Sequence, residues 1–162
     1  MAVLIVGSIA YDSVRSPEGS IDRALGGSAT YGGLSCRFVQ NLSKEGTTGL
    51  VGVVGEDFAE NDRHVLSSAG LNLAGLEVAE GETFRWEGSY QGAMAEAETL
   101  ATHLNVFEHF QPVVPAELAS PRVLFCANLH PDLQRSVMDQ TTPGRLTTVS
   151  YTHLTLPTKL SV

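Results

Sequence analysis

The chain opens on VLIVG, Val3–Gly7, a continuous apolar run closed by glycine, and the same pattern returns at TGLVGVVG (48–55) and at RVLFCAN (122–128). Apolar runs that do not alternate with polar residues suit strands covered on both faces, as in the interior of a parallel sheet. Between the first two runs, GGSATYGGLSCRFVQNL predicts a helix with Ser28 as its N-cap and Ala29, Leu34, Phe38 and Leu42 as its apolar face, loosened by Gly32 and Gly33. FAENDRHVLSSAG predicts a shorter helix stopped by Gly70. Pro131, suited to a first helical turn, opens another helix after the third run. Strands alternating with helices predict an α/β chain, most simply a parallel sheet sandwiched by helices.

Three stretches depart from that alternation. GLEVAEGETFRWEGSY (75–90) reads as two short strands around AEGE, because Thr83, Phe84, Trp86 and Tyr90 favour extended backbone, and it predicts a small sheet outside the main layer. AMAEAETLATHLNVFEHF starts with helix formers and loses its period near Asn105, predicting a helix that ends before Pro112 and Pro115. VSYTHLTLPTKLSV (149–162) neither alternates nor continues a helical face.

Composition narrows the class. At 162 residues, 43% hydrophobic and 17% charged, one globular domain or a large piece of one is expected. A net charge of -8 with pI near 5.0 repels nucleic acid and anionic membrane, so neither is expected as a partner. Cys36 and Cys126 are too far apart for a CxxC site and are read as reduced, buried thiols. The N-terminus lacks a basic region before its short apolar run, and no stretch approaches the roughly twenty apolar residues of a membrane span, which gives the expectation of a soluble, cytoplasmic protein.

Candidate chemistry gathers after the first strand, since open parallel sheets bind ligands beyond the carboxyl ends of their strands. Asp12 in GSIAYD is placed either to accept hydrogen bonds from a polyol or to cap a turn. The Gly26-Gly27 pair at the mouth of a helix allows close backbone approach to a ligand, though such pairs also serve plain turns. A dinucleotide fingerprint would need GxGxxG after the first strand, where only Gly7 is present. His103, His109 and His130 lack metal-ligand spacing and are read as surface or capping residues. Arg85 and Trp86 suit either a ligand, ring-like or anionic, or mutual packing, and Asp57 in VGEDF suits a helix cap.

Taken in order, VGSIAYDSV, LGGSATYGG, VGVVGEDF and LSSAGLNLAGL resemble the N-terminal half of a PfkB-family carbohydrate kinase, a member of the ribokinase-like superfamily, from Val3 to about Leu146. The resemblance implies a three-layer α/β/α domain with a mostly parallel sheet and a small β lid formed near 16–25 and 77–90. It implies transfer of the γ-phosphoryl of ATP, with Mg2+, to a hydroxyl of a sugar or nucleoside. By the same resemblance, Asp12 holds substrate hydroxyls, Gly26 and Gly27 approach the sugar through backbone, and Ser28, Tyr31, Arg85 and Asn128 complete the substrate site. A homodimer formed through the lid is compatible with it.

Two departures bear on function. Tyr31 stands where the family usually has asparagine after the paired glycines, and the family's second signature, a Gly-rich anion hole ending in a catalytic aspartate (DTxxxGD or GAGD), is absent. No catalytic residue is therefore assigned, and the expectation is an inactive, incomplete kinase domain over 1–148. The alternative is a non-catalytic small-molecule-binding α/β domain. Val149–Thr158 resembles a translated adapter of transposon-based DNA library preparation, so 149–162 is read as a non-native tail.

Overall fold

The computed structural model describes residues 1–43, 46–91, 97–143 and 146–149. Along the chain run β1 (Val3–Val6), β2 (Ala10–Ser16), β3 (Gly19–Gly26), α1 (Ser28–Ser43), β4 (Thr48–Gly55), α2 (Glu60–Ser68), β5 (Leu71–Ala79), β6 (Phe84–Tyr90) and β7 (Ala97–His103). Short 3-10 turns at Asn105–His109 and Ala116–Leu118 lead to β8 (Val123–Cys126), α3 (Pro131–Asp139) and β9 (Leu146–Val149).

The unbroken apolar runs become the parallel sheet β5-β4-β1-β8-β9. Successive side chains of a strand point to opposite faces, so an unbroken run serves two cores. Leu4, Val6, Leu124 and Cys126 pack with Val137 of α3 and with Phe110 and Leu118 beside the 3-10 turns. Ile5, Leu50 and Val54 pack with Ala29 of α1, Leu66 of α2 and Leu71. The result is an α/β/α sandwich centred on β1. Each fully buried aliphatic side chain contributes about 1.5–3 kcal/mol relative to exposure, and Leu4, Ile5 and Val6 are all at most 2% exposed.

The α1 helix turns differently from its predicted face. Ala29, Thr30 and Gly33 are buried, whereas Phe38 and Leu42 are 68% and 73% exposed. Gly32 and Gly33 make the contact themselves: a Cβ on Gly32 would meet Phe125 at 3.3 Å, and one on Gly33 would meet Leu50 at 3.0 Å. Close approach to the sheet outweighs the burial of two large side chains. The second helix agrees with its expected stop, since Gly70 follows the Ala69 cap with φ +85°, a left-handed conformation that glycine adopts without strain.

A second sheet, β3-β2-β6-β7, stands beside the sandwich, with β2 and β6 parallel and the outer pairs antiparallel. It differs from the expected lid in two ways. Within 77–90 only Phe84–Tyr90 belongs to it, because Glu77, Val78 and Ala79 finish β5 against Val53, Val54 and Gly55 in the main sheet. The expected helix before Asn105 is instead β7 over Ala97–His103, paired with Arg85–Tyr90, while the start of that expectation lies outside the described residues. Pairing with β6 overrides the local helix preference of Ala97–Leu100, a tertiary effect on weak propensity. No helix among the described residues is long and apolar enough to cross a membrane. The reading of the tail falls on residues outside those described, apart from Val149 at the end of β9.

Candidate functional site

The site is built where the chain leaves β1. Gly7 admits this crossing, since a Cβ there would sit 2.8 Å from both Ala127 Cβ and Ser28 Oγ. Ser8 then receives the start of α1: its Oγ accepts from Ser28 N at 3.1 Å and its carbonyl accepts from Ala29 N at 2.9 Å. The Ser28 hydroxyl, expected as the helix N-cap, instead accepts from Ser8 N and Asn128 N, each at 3.3 Å. Two of the residues predicted to touch substrate, Ser28 and Asn128, are thus joined to each other and tie the ends of β1 and β8 to α1. Gly27 precedes the helix with φ +97° and accepts from Tyr31 N at 3.1 Å.

From this junction β2 carries Asp12 over Gly26 of β3, so closely that a Cβ on Gly26 would overlap the Asp12 carboxyl group. Burial pushes the Asp12 pKa above the usual carboxylate range, against the opposing hydrogen bond from the Gly27 amide. Tyr31, in the first turn of α1 and bonded back to Gly27, has its pKa raised first by burial and then by the charges of Asp12 and Tyr90. Asp12, Gly26, Gly27 and Tyr31, named from sequence, therefore do come together.

The second sheet extends the site. Asp12 pairs with Trp86 and Trp86 with Thr102, so these three residues share one face. That face closes on the turn after β8, leaving a cavity of about 790 Å³ lined by Phe84, Trp86, Thr99, Phe107, Asn128 and Leu129 among others. Phe84 and Phe107 stack at 5.4 Å between ring centroids.

Arg85 lies on the opposite face, in register with Tyr11. Its guanidinium reaches Asp57 Oδ2 and Glu82 Oε1, each at 3.2 Å. It is thus tied into an ion-pair network on the face turned away from Trp86. Asp57 does not cap α2, whose N-cap is Ala59 without a side-chain bond. It accepts from Thr83 N and Thr83 Oγ1 at 2.7 Å and pairs with Arg23 at 3.1 Å. Burial works against its charge, but the Thr83 bonds, Arg85 and Arg23 prevail and hold its pKa below the ordinary range. Tyr11 adds a second tie between the layers, donating to Asp62 Oδ2 at 2.6 Å and accepting from Ala59 N at 2.9 Å.

Arg23 and Asp57 were not legible as partners, since 34 residues separate them. A local sign existed only in the chain's geometry: Arg23 has φ +56° beside a register shift between Asp12 and Val14. His130 serves as a cap, accepting from Asp132 N at 3.3 Å. Among the described residues no group of three or more His, Cys, Asp or Glu is placed to hold a metal ion.

No protein-family model matches the sequence, and no curated protein matches it. Its likenesses are among solved structures. A PfkB protein from Polaromonas sp. JS666 aligns with TM-score 0.68 and 14% identity over 97% of this chain and 59% of its own. Ribokinase from Cryptococcus neoformans var. grubii, in complex with ADP, aligns with TM-score 0.66 and 18% identity over 96% of this chain and 52% of its own. Burkholderia thailandensis nucleoside kinase, in complex with inosine, aligns with TM-score 0.62 and 15% identity over 87% of this chain and 58% of its own. The chain spans a little over half the length of these structures. A sandwich centred on β1, with a four-stranded sheet standing over its carboxyl end, is thus the ribokinase-like α/β fold, matched over about half of that fold's length.

Proposed function

We propose that the chain supplies the acceptor-binding portion of an ATP-dependent kinase of the PfkB type, which phosphorylates a hydroxyl of a sugar or nucleoside. The observation that carries this reading is the Asp12 carboxylate, partly buried over Gly26 next to the start of α1 and on the same face of the second sheet as Trp86. Ionised, it accepts hydrogen bonds from neighbouring hydroxyls and fixes which one is presented. The sheet above acts as a lid that keeps water from the presented hydroxyl.

Phosphoryl transfer depends on positioning and charge stabilisation around the donor phosphates. The described residues offer no metal-holding cluster, and the sequence has no Gly-rich anion hole with its aspartate, so they do not fit ATP and Mg2+. In this reading both are bound by sequence beyond these residues, and no step is derived through them. The complexes with ADP and inosine seen in the structural likenesses support a kinase of this type.

The test is calorimetric titration of the chain with ribose, fructose, adenosine and inosine, alongside an ATPase assay with Mg2+. At least one of these binds, Asp12→Ala weakens it about tenfold or more through the lost charged hydrogen bonds, and ATP is not turned over. Binding indifferent to Asp12→Ala, or no binding at all, overturns the reading of the site.

A further inference from the structure

Accepting that cleft as the acceptor site, we infer that its substrate is a nucleoside, with the sugar at Asp12 and an uncharged base stacked on Trp86, and not a free or phosphorylated sugar. The cleft changes character along its length. At Asn128 it meets the polar Ser28–Asn128 junction, and Asp12, which approaches Gly26 on the neighbouring strand, lies beside it in register with Trp86. One strand away, in register with Asp12, begins an aromatic wall of Trp86 and Phe84 backed by Phe107.

Trp86 is held as a platform. Its ring lies across Gly88, where any Cβ would overlap it, and its Nε1 donates to Thr99 Oγ1 at 3.2 Å. The Phe84–Phe107 stack continues to Phe110 at 5.8 Å, so the backing wall is also fixed in place. A π-faced base gains from such a surface whatever its sequence of donors and acceptors. A free sugar placed there would leave hydroxyls unpaired against aromatic carbon, which costs affinity.

Charge argues against an anionic substituent. Arg85, the cation next to Trp86 in sequence, is turned to Asp57 and Glu82, and Arg23 goes to the same Asp57. Of the ionisable residues lining the cavity, Glu108 is acidic and His130 has its Nδ1 committed to Asp132. A volume of about 790 Å³ falls within the range of small-molecule pockets and leaves room for a ligand of nucleoside size.

Trp86 is the one tryptophan of the sequence and reports on its own surroundings. The chain is titrated with inosine, adenosine, ribose and ribose 5-phosphate, exciting at the red edge of indole absorption, with calorimetry in parallel. Saturable changes in Trp86 emission are expected with the nucleosides at concentrations about tenfold or more below any response to the sugars. Thr99→Val, which releases the indole, and Gly88→Ala, which displaces it, weaken inosine while leaving ribose unchanged. Asp12→Ala weakens both. Ribose or its phosphate binding as tightly as inosine overturns the nucleoside assignment and leaves the acceptor site standing. So does a Thr99→Val effect equal on nucleoside and sugar. Failure of all four ligands to bind overturns the acceptor site as well.

Discussion

The carboxyl group of Asp12 covers the Cα of Gly26 where β2 and β3 pair, leaving no room for a side chain at position 26. Gly26 has no left-handed backbone to protect, unlike Gly27 with φ +97°. The atoms that a methyl group would strike are the far end of a movable side chain. Gly26→Ala therefore folds with near-normal stability while swinging the Asp12 carboxylate out of place. Ligand affinity falls about tenfold or more, as for loss of a hydrogen bond to a charged group. Combining it with Asp12→Ala adds little, since both remove one interaction. Titration calorimetry with urea denaturation on the same samples checks both halves of the expectation.

Asp12 couples binding and stability in opposite senses. Its folded-state pKa is raised, chiefly by burial, so the folded chain holds its proton to higher pH than the unfolded chain does. Stability of the unliganded chain thus falls as pH rises from the ordinary carboxylate range through that raised value, and is flat above it. Affinity for hydroxyl-bearing ligands rises over the same window as the carboxylate ionises. Asp12→Asn removes both slopes: it resists urea better than the parent chain at neutral pH and binds about tenfold more weakly. Urea midpoints and binding constants measured across the acid range separate the two effects.

Asp57 has the reverse sign. Its pKa is held below the ordinary range although burial opposes this, because Thr83, Arg85 and Arg23 favour the charge. Its contribution is present above the unfolded carboxylate value and is lost as pH falls through the lower folded value. Because Arg23 lies on β3 and Arg85 on β6, the carboxylate holds the second sheet to the turn after β4. Asp57→Asn costs about 1–3 kcal/mol, the range for hydrogen bonds to charged groups. Hydrogen exchange should quicken in β2, β3 and β6 and stay slow in β1, β4 and β8, as for a locally opening unit. Uniform acceleration across both sheets would show that Asp57 stabilises the whole domain and does not act on the second sheet in particular.

The sheet was legible because its signal is local: Val3–Val6 and Thr48–Gly55 are apolar on both faces and can only be interior strands. That Asp12 and Gly26 lie close together was legible for a related reason, since one comes soon after the end of β1 and the other just before the start of α1. What was not legible depends on distant partners. Ala97–His103 looks helical by composition and is extended only because Arg85–Tyr90 pairs with it. Which face Arg85 takes was not legible either, because alternation along β6 cannot say which side meets Asp57 until that distant residue is seen. The Ser28 hydroxyl looked like a helix cap, yet Asn128, 100 residues away, donates to it.

The rotation of α1 gives the sharpest check on packing, because two adjacent glycines should respond oppositely. Alanine is favoured over glycine inside a helix by about 0.8–1 kcal/mol, and both positions would collect that gain. At Gly32 the added Cβ meets Phe125 at 3.3 Å and Ile5 at 3.6 Å, contacts that a small shift of partly covered Phe125 relieves. At Gly33 it meets Leu50 at 3.0 Å and Leu71 at 3.2 Å, both held in the core. Overpacking of that kind costs about 1–3 kcal/mol, more than propensity returns. Gly32→Ala is therefore expected to raise the urea midpoint and Gly33→Ala to lower it. Phe38→Ser, at an exposed site, stays within about 0.5 kcal/mol. Had α1 packed through Phe38 and Leu42, Phe38→Ser would be the damaging change and both alanine variants would stabilise, so the order of the three midpoints decides which face of the helix meets the sheet.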